Sequence, residues 1–163
     1  MNLIAQRFAD VYVYSTFFYT KLLSDGHHAV QTWNKGVDIF SKRLLIFPVH
    51  LQAHWCLSAV KIAGKQILYF NSLGHANSTC LQTIRDYLEK QSECNNCKLK
   101  DVKWQCVHCS DIPMQYNSYD CGVFICTYAR CLAANSPFKF NQGDMQNIRR
   151  HMVLELLSKA LIL

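Results

Sequence analysis

The chain has 163 residues, half of them apolar and about one in six charged, which suits one packed domain and excludes a disordered segment. The formal net charge of +6 comes from scattered Lys and Arg, without the basic stripe of a nucleic-acid footprint. No apolar run approaches the ~20 residues of a membrane span, and Met1–Arg7 has no signal-peptide pattern. Nine cysteines, an odd number in a chain with a periodic core, read as thiols of a reducing compartment rather than as a disulfide framework.

Residues Ser15–Leu23 and His27–Asn34 read as short helices with aromatic anchors, punctuated by Gly26 and Gly36. Three runs of strand length follow: Leu44–His50, Trp55–Ile62 and Gln66–Phe70. Ala63–Gly64–Lys65 forms the turn between the last two. Leu81, Ile84, Tyr87 and Leu88 have helical spacing within 78–91, with Asn77 or Ser78 as cap, and 102–107 is a further strand. Cys121–Ala134 is apolar nearly all round, the pattern of a helix buried within a domain. Asp144–Leu161 is an amphipathic helix with Asn141 as cap and Met145, Ile148, Met152 and Leu156 on one stripe. Helices, then a mostly antiparallel sheet, then helices make an α+β domain, a single one over residues 1–163.

The stretch Gln115–Tyr116–Asn117–Ser118–Tyr119–Asp120–Cys121–Gly122 carries the chemistry. A turn-forming run feeds the buried helix and leaves Cys121 at its N-terminus, where free backbone N–H groups and the macrodipole favour a thiolate. The same N–H groups suit a developing oxyanion, and Gln115, six residues upstream, can add a side-chain donor. Gly122 permits close approach of another backbone. A nucleophilic Cys needs a base, and the base an orienter. His54 opens an apolar strand, and Asn71, seventeen residues on, ends the next one. Adjacent antiparallel strands can bring the two together, with Asn71 accepting from the imidazole.

Other groupings compete. Cys94, Cys97, Cys106 and Cys109 form two CxxC-type pairs, a zinc-like pattern. Cys106 and Cys109 fall on a strand whose side chains alternate faces, so the alternative is a loop tip and ordinary strand thiols. His50 and His54 have metal-ligand spacing only on a helix, and the segment reads as strand. Cys126 and Cys131 read as core, Cys56 as strand core, Cys80 as a partly buried helical residue, Phe17–Phe18–Tyr19 as packing, and Arg149–Arg150 as a solvated helix face.

Several pieces, in order, resemble the SUMO (sentrin)-specific, or ubiquitin-like-protein-specific, protease family: Phe47–Pro48–Val49–His50–Leu51, His54–Trp55–Cys56–Leu57, Tyr69–Phe70–Asn71–Ser72–Leu73–Gly74, Ile112–Pro113–Met114–Gln115 and Asp120–Cys121–Gly122–Val123–Phe124. Phe140–Asn141–Gln142, Arg149–Arg150 and Met152–Val153 extend the likeness, which runs from about residue 14. The resemblance implies a papain-like fold with Cys121 as nucleophile, His54 as base and Gln115 as oxyanion donor. Trp55 becomes a wall of the tunnel that admits an extended Gly-Gly end. It further implies thiol cleavage after the diglycine of SUMO, a monomer that needs no cofactor or metal, no nucleic-acid or membrane partner, and nuclear residence. Two departures stand out. The family has Asp where this chain has Asn71, and an Asp-to-Asn change in a serine triad costs ~10⁴ in rate, although papain-type enzymes work with Asn. The family's N-terminal Trp-Leu-Asn-Asp-like segment, whose Trp is the second tunnel wall, has no counterpart here, so a one-sided tunnel and a catalytically impaired SUMO-binding domain are the alternative expectation.

Overall fold

Three apolar runs in the middle of the chain make the sheet. The structure, a computed structural model, describes residues 1–94 and 102–162. Its elements in chain order are α1 (Asn2–Arg7), β1 (Val11–Val13), α2 (Phe18–Asp25), β2 (Leu44–Leu51), β3 (His54–Lys61), β4 (Gln66–Phe70), α3 (Ser78–Cys94), β5 (Gln105–Cys109), α4 (Cys121–Ala133) and α5 (Met145–Ser158). The fold class is α+β, as the sequence predicts. The second expected helix is instead a single 3-10 turn, His27–Ala29, followed by turns.

The strands line up in sequence order, β1-β2-β3-β4-β5. β2–β3 and β3–β4 pair antiparallel, whereas β1–β2 and β4–β5 pair parallel. The sheet is therefore mixed rather than mostly antiparallel. The reason is the connections. Short turns fold β2, β3 and β4 back on one another, while α2 and α3 lie in the long crossovers that bring β2 and β5 in parallel.

Both faces of the sheet are covered, which explains why β2 reads as an unbroken apolar run. Leu45, Phe47, Val49, Cys56, Val60, Ile67 and Tyr69 point to one face, where they meet Phe18, Tyr19, Leu22, Ile84, Tyr87 and Leu88 of α2 and α3. Leu44, Ile46, Leu57, Ala59, Leu68 and Phe70 point to the other, against Val123, Phe124, Ile125 and Tyr128 of α4. The alternation is the period-2 rule of a strand. On the α3 side the hydroxyls of Tyr14 and Tyr87 bond to each other at 3.1 Å, so two buried polar groups satisfy one another. Asn77 caps α3, accepting from the Cys80 N–H at 2.8 Å.

α5 keeps Met145, Ile148 and Met152 of the expected stripe against the core and departs from it at Leu156. Met145 is buried, but Leu156 is exposed and Glu155 is buried in its stead. Arg130 of α4 reaches Glu155 at 2.9 Å, and the same carboxylate accepts the Ile162 N–H at 3.0 Å. The ion pair gives the buried carboxylate its partner at the end of the helix where Leu156 turns outward. A groove of about 790 Å³ opens between α1, α4 and α5, and the partly buried Cys126 and Cys131 line it, Cys126 also packing against the core as expected. No helix is long and apolar enough to cross a membrane among the described residues.

Candidate active site

The site begins with a turn. Leu51 of β2 pairs with His54 of β3, so only Gln52 and Ala53 connect the strands. Gln52 takes the left-handed conformation, φ 51°, that such tight turns require. This places His54 at the first position of β3. On the far side of β3, Leu57 faces Phe70. The next residue past the end of β4, Asn71, therefore falls opposite Cys56, diagonal to His54. The imidazole Nε2 of His54 lies 2.9 Å from Asn71 Oδ1.

Asn71 cannot rotate freely. Its Oδ1 also accepts the Leu73 N–H at 2.9 Å, and its Nδ2 donates to the His75 carbonyl at 3.1 Å. An oxygen that already takes a backbone N–H is fixed as oxygen, so the proton between the two side chains belongs to His54 Nε2. Nδ1 then carries the lone pair, which is what a base for a thiol proton needs.

The residue after Asn71 anchors the second catalytic element. Ser72, fully buried, donates from Oγ to Gln115 Oε1 at 2.8 Å, and the Gln115 N–H reaches the Ser72 carbonyl at 2.8 Å. The Gln115 Nε2 donates to the Asn117 carbonyl, which leaves its second N–H for another acceptor. The sequence assigns Ser72 no role of its own; its only signal is that it follows the orienter in an Asn71–Ser72–Leu73–Gly74 turn, closed by the Gly74 N–H on the Asn71 carbonyl at 2.8 Å. Gly74 has φ 82°, a conformation that suits glycine.

Cys121 is the first residue of α4 and is buried, with 7% of its surface exposed. Among the described residues the N–H groups of Cys121 and Gly122 have no hydrogen-bond partner, while those of Val123 and Phe124 return to the Asp120 carbonyl. The helix thus opens with two free donors beside a thiol. α4 packs across β3, and a methyl on Gly122 would stand 4.0 Å from the Trp55 ring. Trp55 in turn packs against His50, with ring centroids 4.4 Å apart and the planes tilted by 31°. The chain therefore brings Trp55 beside Gly122, His54 beside Asn71, and Gln115 beside Ser72. It does not hydrogen-bond the Cys121 thiol to His54, a contact that in unliganded enzymes often tightens only when substrate binds.

Arg149 is exposed, as expected of a solvated helix face, and it carries an unforeseen contact as well: its Nε and one terminal nitrogen grip Asp120 Oδ1 at 3.0 and 2.7 Å. Burial pushes the Asp120 carboxyl up, but hydrogen bonds from Asn117, Arg149 and Gln142 and the Arg149 charge outweigh it and leave it below its usual value. Six of the other thiols are poorly suited to nucleophilic work. Burial pushes Cys56 up to about 11 and Cys80 up to about 12, and raises Cys106, Cys109, Cys126 and Cys131 as well. Cys80 is fully rather than partly buried. Of the zinc-like set, Cys97 lies outside the described residues. Among those described, no three His, Cys, Asp or Glu side chains cluster as a metal site.

A buried helix that starts at a cysteine and packs across a sheet whose neighbouring strands supply a histidine and its orienter is the architecture of papain-like thiol peptidases. Residues 2–160 match the Ulp1 protease family, C-terminal catalytic domain, so the match includes α1 and β1, which precede the likeness legible from about residue 14. The chain belongs to that family. It is 36% identical over 152 residues to sentrin-specific protease 5 of Mus musculus, covering 93% of this chain and 20% of that protein. It is 34% identical over 172 residues to sentrin-specific protease 2 of Homo sapiens, covering 99% and 29%. The chain thus spans between about a fifth and a third of the length of these curated relatives. A structure of the SUMO protease Ulp1 with its catalytic cysteine oxidised to a sulfenic acid superposes with a TM-score of 0.88 at 26% identity, covering 98% of this chain and 74% of that one. The Ulp1 protease domain in complex with Smt3, the yeast orthologue of SUMO, gives a TM-score of 0.87 at 26% identity, covering 97% and 72%.

Proposed function

We propose that this domain is a cysteine-type peptidase and isopeptidase that cleaves after the C-terminal diglycine of SUMO, releasing it from a lysine or trimming its precursor. The observation that carries the reading is the oriented imidazole, His54 Nε2 on Asn71 Oδ1 at 2.9 Å, on the strand that α4 and its leading Cys121 cross. In this mechanism His54 Nδ1 takes the Cys121 proton and the thiolate attacks the glycine carbonyl. The Cys121 N–H and the second Gln115 Nε2–H hold the oxyanion. His54 then passes its proton to the leaving lysine amine. A thioester remains, and water activated by the same imidazole hydrolyses it, returning the thiol. Trp55, lying against Gly122, walls a slot in which residues without side chains fit. SUMO and its conjugates are the proposed partners, with the domain acting as a monomer in the nucleus.

The test is a SUMO whose C-terminus carries a vinyl sulfone. Wild type should form a covalent adduct at Cys121, and Cys121→Ser should form none. Binding of SUMO without an adduct in wild type would instead identify a domain that recognises the modifier and has lost its chemistry.

A further inference from the structure

Asp120 occupies the N-cap of α4, the position from which an Asp side chain ordinarily bonds the first free N–H groups of a helix. It makes no such bond. Its carboxylate, 4% exposed, is turned the other way and takes four donors from elsewhere in the chain. Oδ1 receives Arg149 twice, at 3.0 and 2.7 Å, and Oδ2 receives Asn117 Nδ2 at 2.7 Å and Gln142 Nε2 at 2.8 Å. Arg149 also binds the Tyr119 carbonyl at 3.0 Å, and Gln142 accepts the Tyr116 N–H at 2.9 Å. The segment that begins α5 therefore clamps the whole loop leading to the nucleophile.

Two consequences follow from chemistry. A carboxylate bonded into the mouth of α4 would consume the donors that the thiolate and oxyanion use. A buried carboxylate without a cation, one residue from that thiolate, would repel it. Both are avoided by the same guanidinium.

We infer that Arg149 is a positioning residue for the Cys121 thiolate: it holds the Asp120 carboxylate away from the opening of α4 and cancels its charge, so that the helix N-terminus faces the sulfur alone. The inference deepens the proposed peptidase reading and rests on Cys121 being its nucleophile. The titratable and charged groups that bear on the thiol are Cys56 on β3, which couples to it electrostatically, and Asp120 with Arg149 on the α4 and α5 side; His54 on β3 is its base in the proposed mechanism, and Asn117 and Gln142 are neutral.

The experiment follows the rate of iodoacetamide alkylation at Cys121 from about pH 5 to 9, read by mass spectrometry of the Cys121 peptide. Arg149→Gln should move the profile to higher pH and slow alkylation near neutrality by roughly tenfold. Arg149→Gln combined with Asp120→Asn should bring the profile back, even though the clamp on the loop stays broken. Asp120→Asn alone should move it to lower pH, which serves if the single Arg149 variant does not fold. A profile unchanged in Arg149→Gln or Asp120→Asn, or a double variant as displaced as the single one, would reduce Arg149 to a structural strut. Alkylation needs no SUMO. A wild type that never labels with the vinyl sulfone would count against the proposed substrate and leave this comparison readable.

Discussion

Asn71 Oδ1 accepts the Nε2 proton of His54 at 2.9 Å, and its amide is locked by Leu73 on one side and His75 on the other. An orienting residue has two tasks: to fix the tautomer, and to stabilise the imidazolium that forms during attack. Asn71 performs the first by geometry. Having no charge, it contributes little to the second. The loss expected from an Asp-to-Asn change arises when the amide presents its nitrogen to the imidazole. Here the backbone N–H of Leu73 prevents that orientation.

Separating the two tasks gives the first prediction. Asn71→Ala removes both and should lower kcat by about a hundredfold or more, and His54→Ala by ~10²–10⁴. Asn71→Asp adds the charge and should raise kcat by roughly three- to tenfold. It should also cost about 1–2 kcal/mol of stability, because a carboxylate oxygen replaces the Nδ2–H that serves the His75 carbonyl. Turnover of a SUMO fusion together with a thermal melt reads both effects. A fall in kcat for Asn71→Asp would mean that the His75 bond matters more than the charge.

The cysteines offer a second check. All nine read from the sequence as free thiols, and Cys56 and Cys80 are fully buried with their thiols pushed up to about 11 and about 12. A raised thiol holds less thiolate at neutral pH, and a buried one is out of reach of reagent. Native protein treated with iodoacetamide near pH 7.5 should leave both peptides unmodified, whereas denatured protein should be alkylated at both. Rapid native labelling of Cys56 would show that β3 opens locally, and would make it a rival to Cys121.

What the sequence discloses depends on range. The β3–β4 hairpin is legible because its register follows from a short turn and a period of two, and that register alone brings Asn71 near His54. The start of α4 is legible because an apolar run meets a polar turn at Cys121. β1 is not: three residues, Val11–Val13, carry no period, and their pairing with Leu44–Ile46 spans a long crossover. The parallel edges of the sheet are hidden for the same reason. The Asp120–Arg149 pair joins residues 29 apart on different elements, so nothing near either residue announces it. Glu155 likewise reads as the polar side of a helix until Arg130 comes into view.

Asp120 also predicts an acid sensitivity. Its carboxyl is depressed in the folded chain from an ordinary value of 3.8: burial works against this, and the bonds from Asn117, Arg149 and Gln142 overcome it. A depressed carboxyl contributes stability that is present above the unfolded value, because the folded chain then holds a charge it has partnered. As pH falls below about 4, the unfolded chain binds the proton first, and the contribution disappears as pH passes through the lowered folded value. Melting temperature measured from about pH 2 to 6 should therefore fall less steeply at the acid end in Asp120→Asn than in wild type, while Asp120→Asn should be the less stable of the two at pH 6. Arg149 is half-exposed, so solvent screens its share, and the slope should keep part of its size at high salt because the carboxylate itself is buried. Parallel curves for the two proteins would mean that Asp120 keeps its charge equally well folded and unfolded, and that its four donors serve geometry alone.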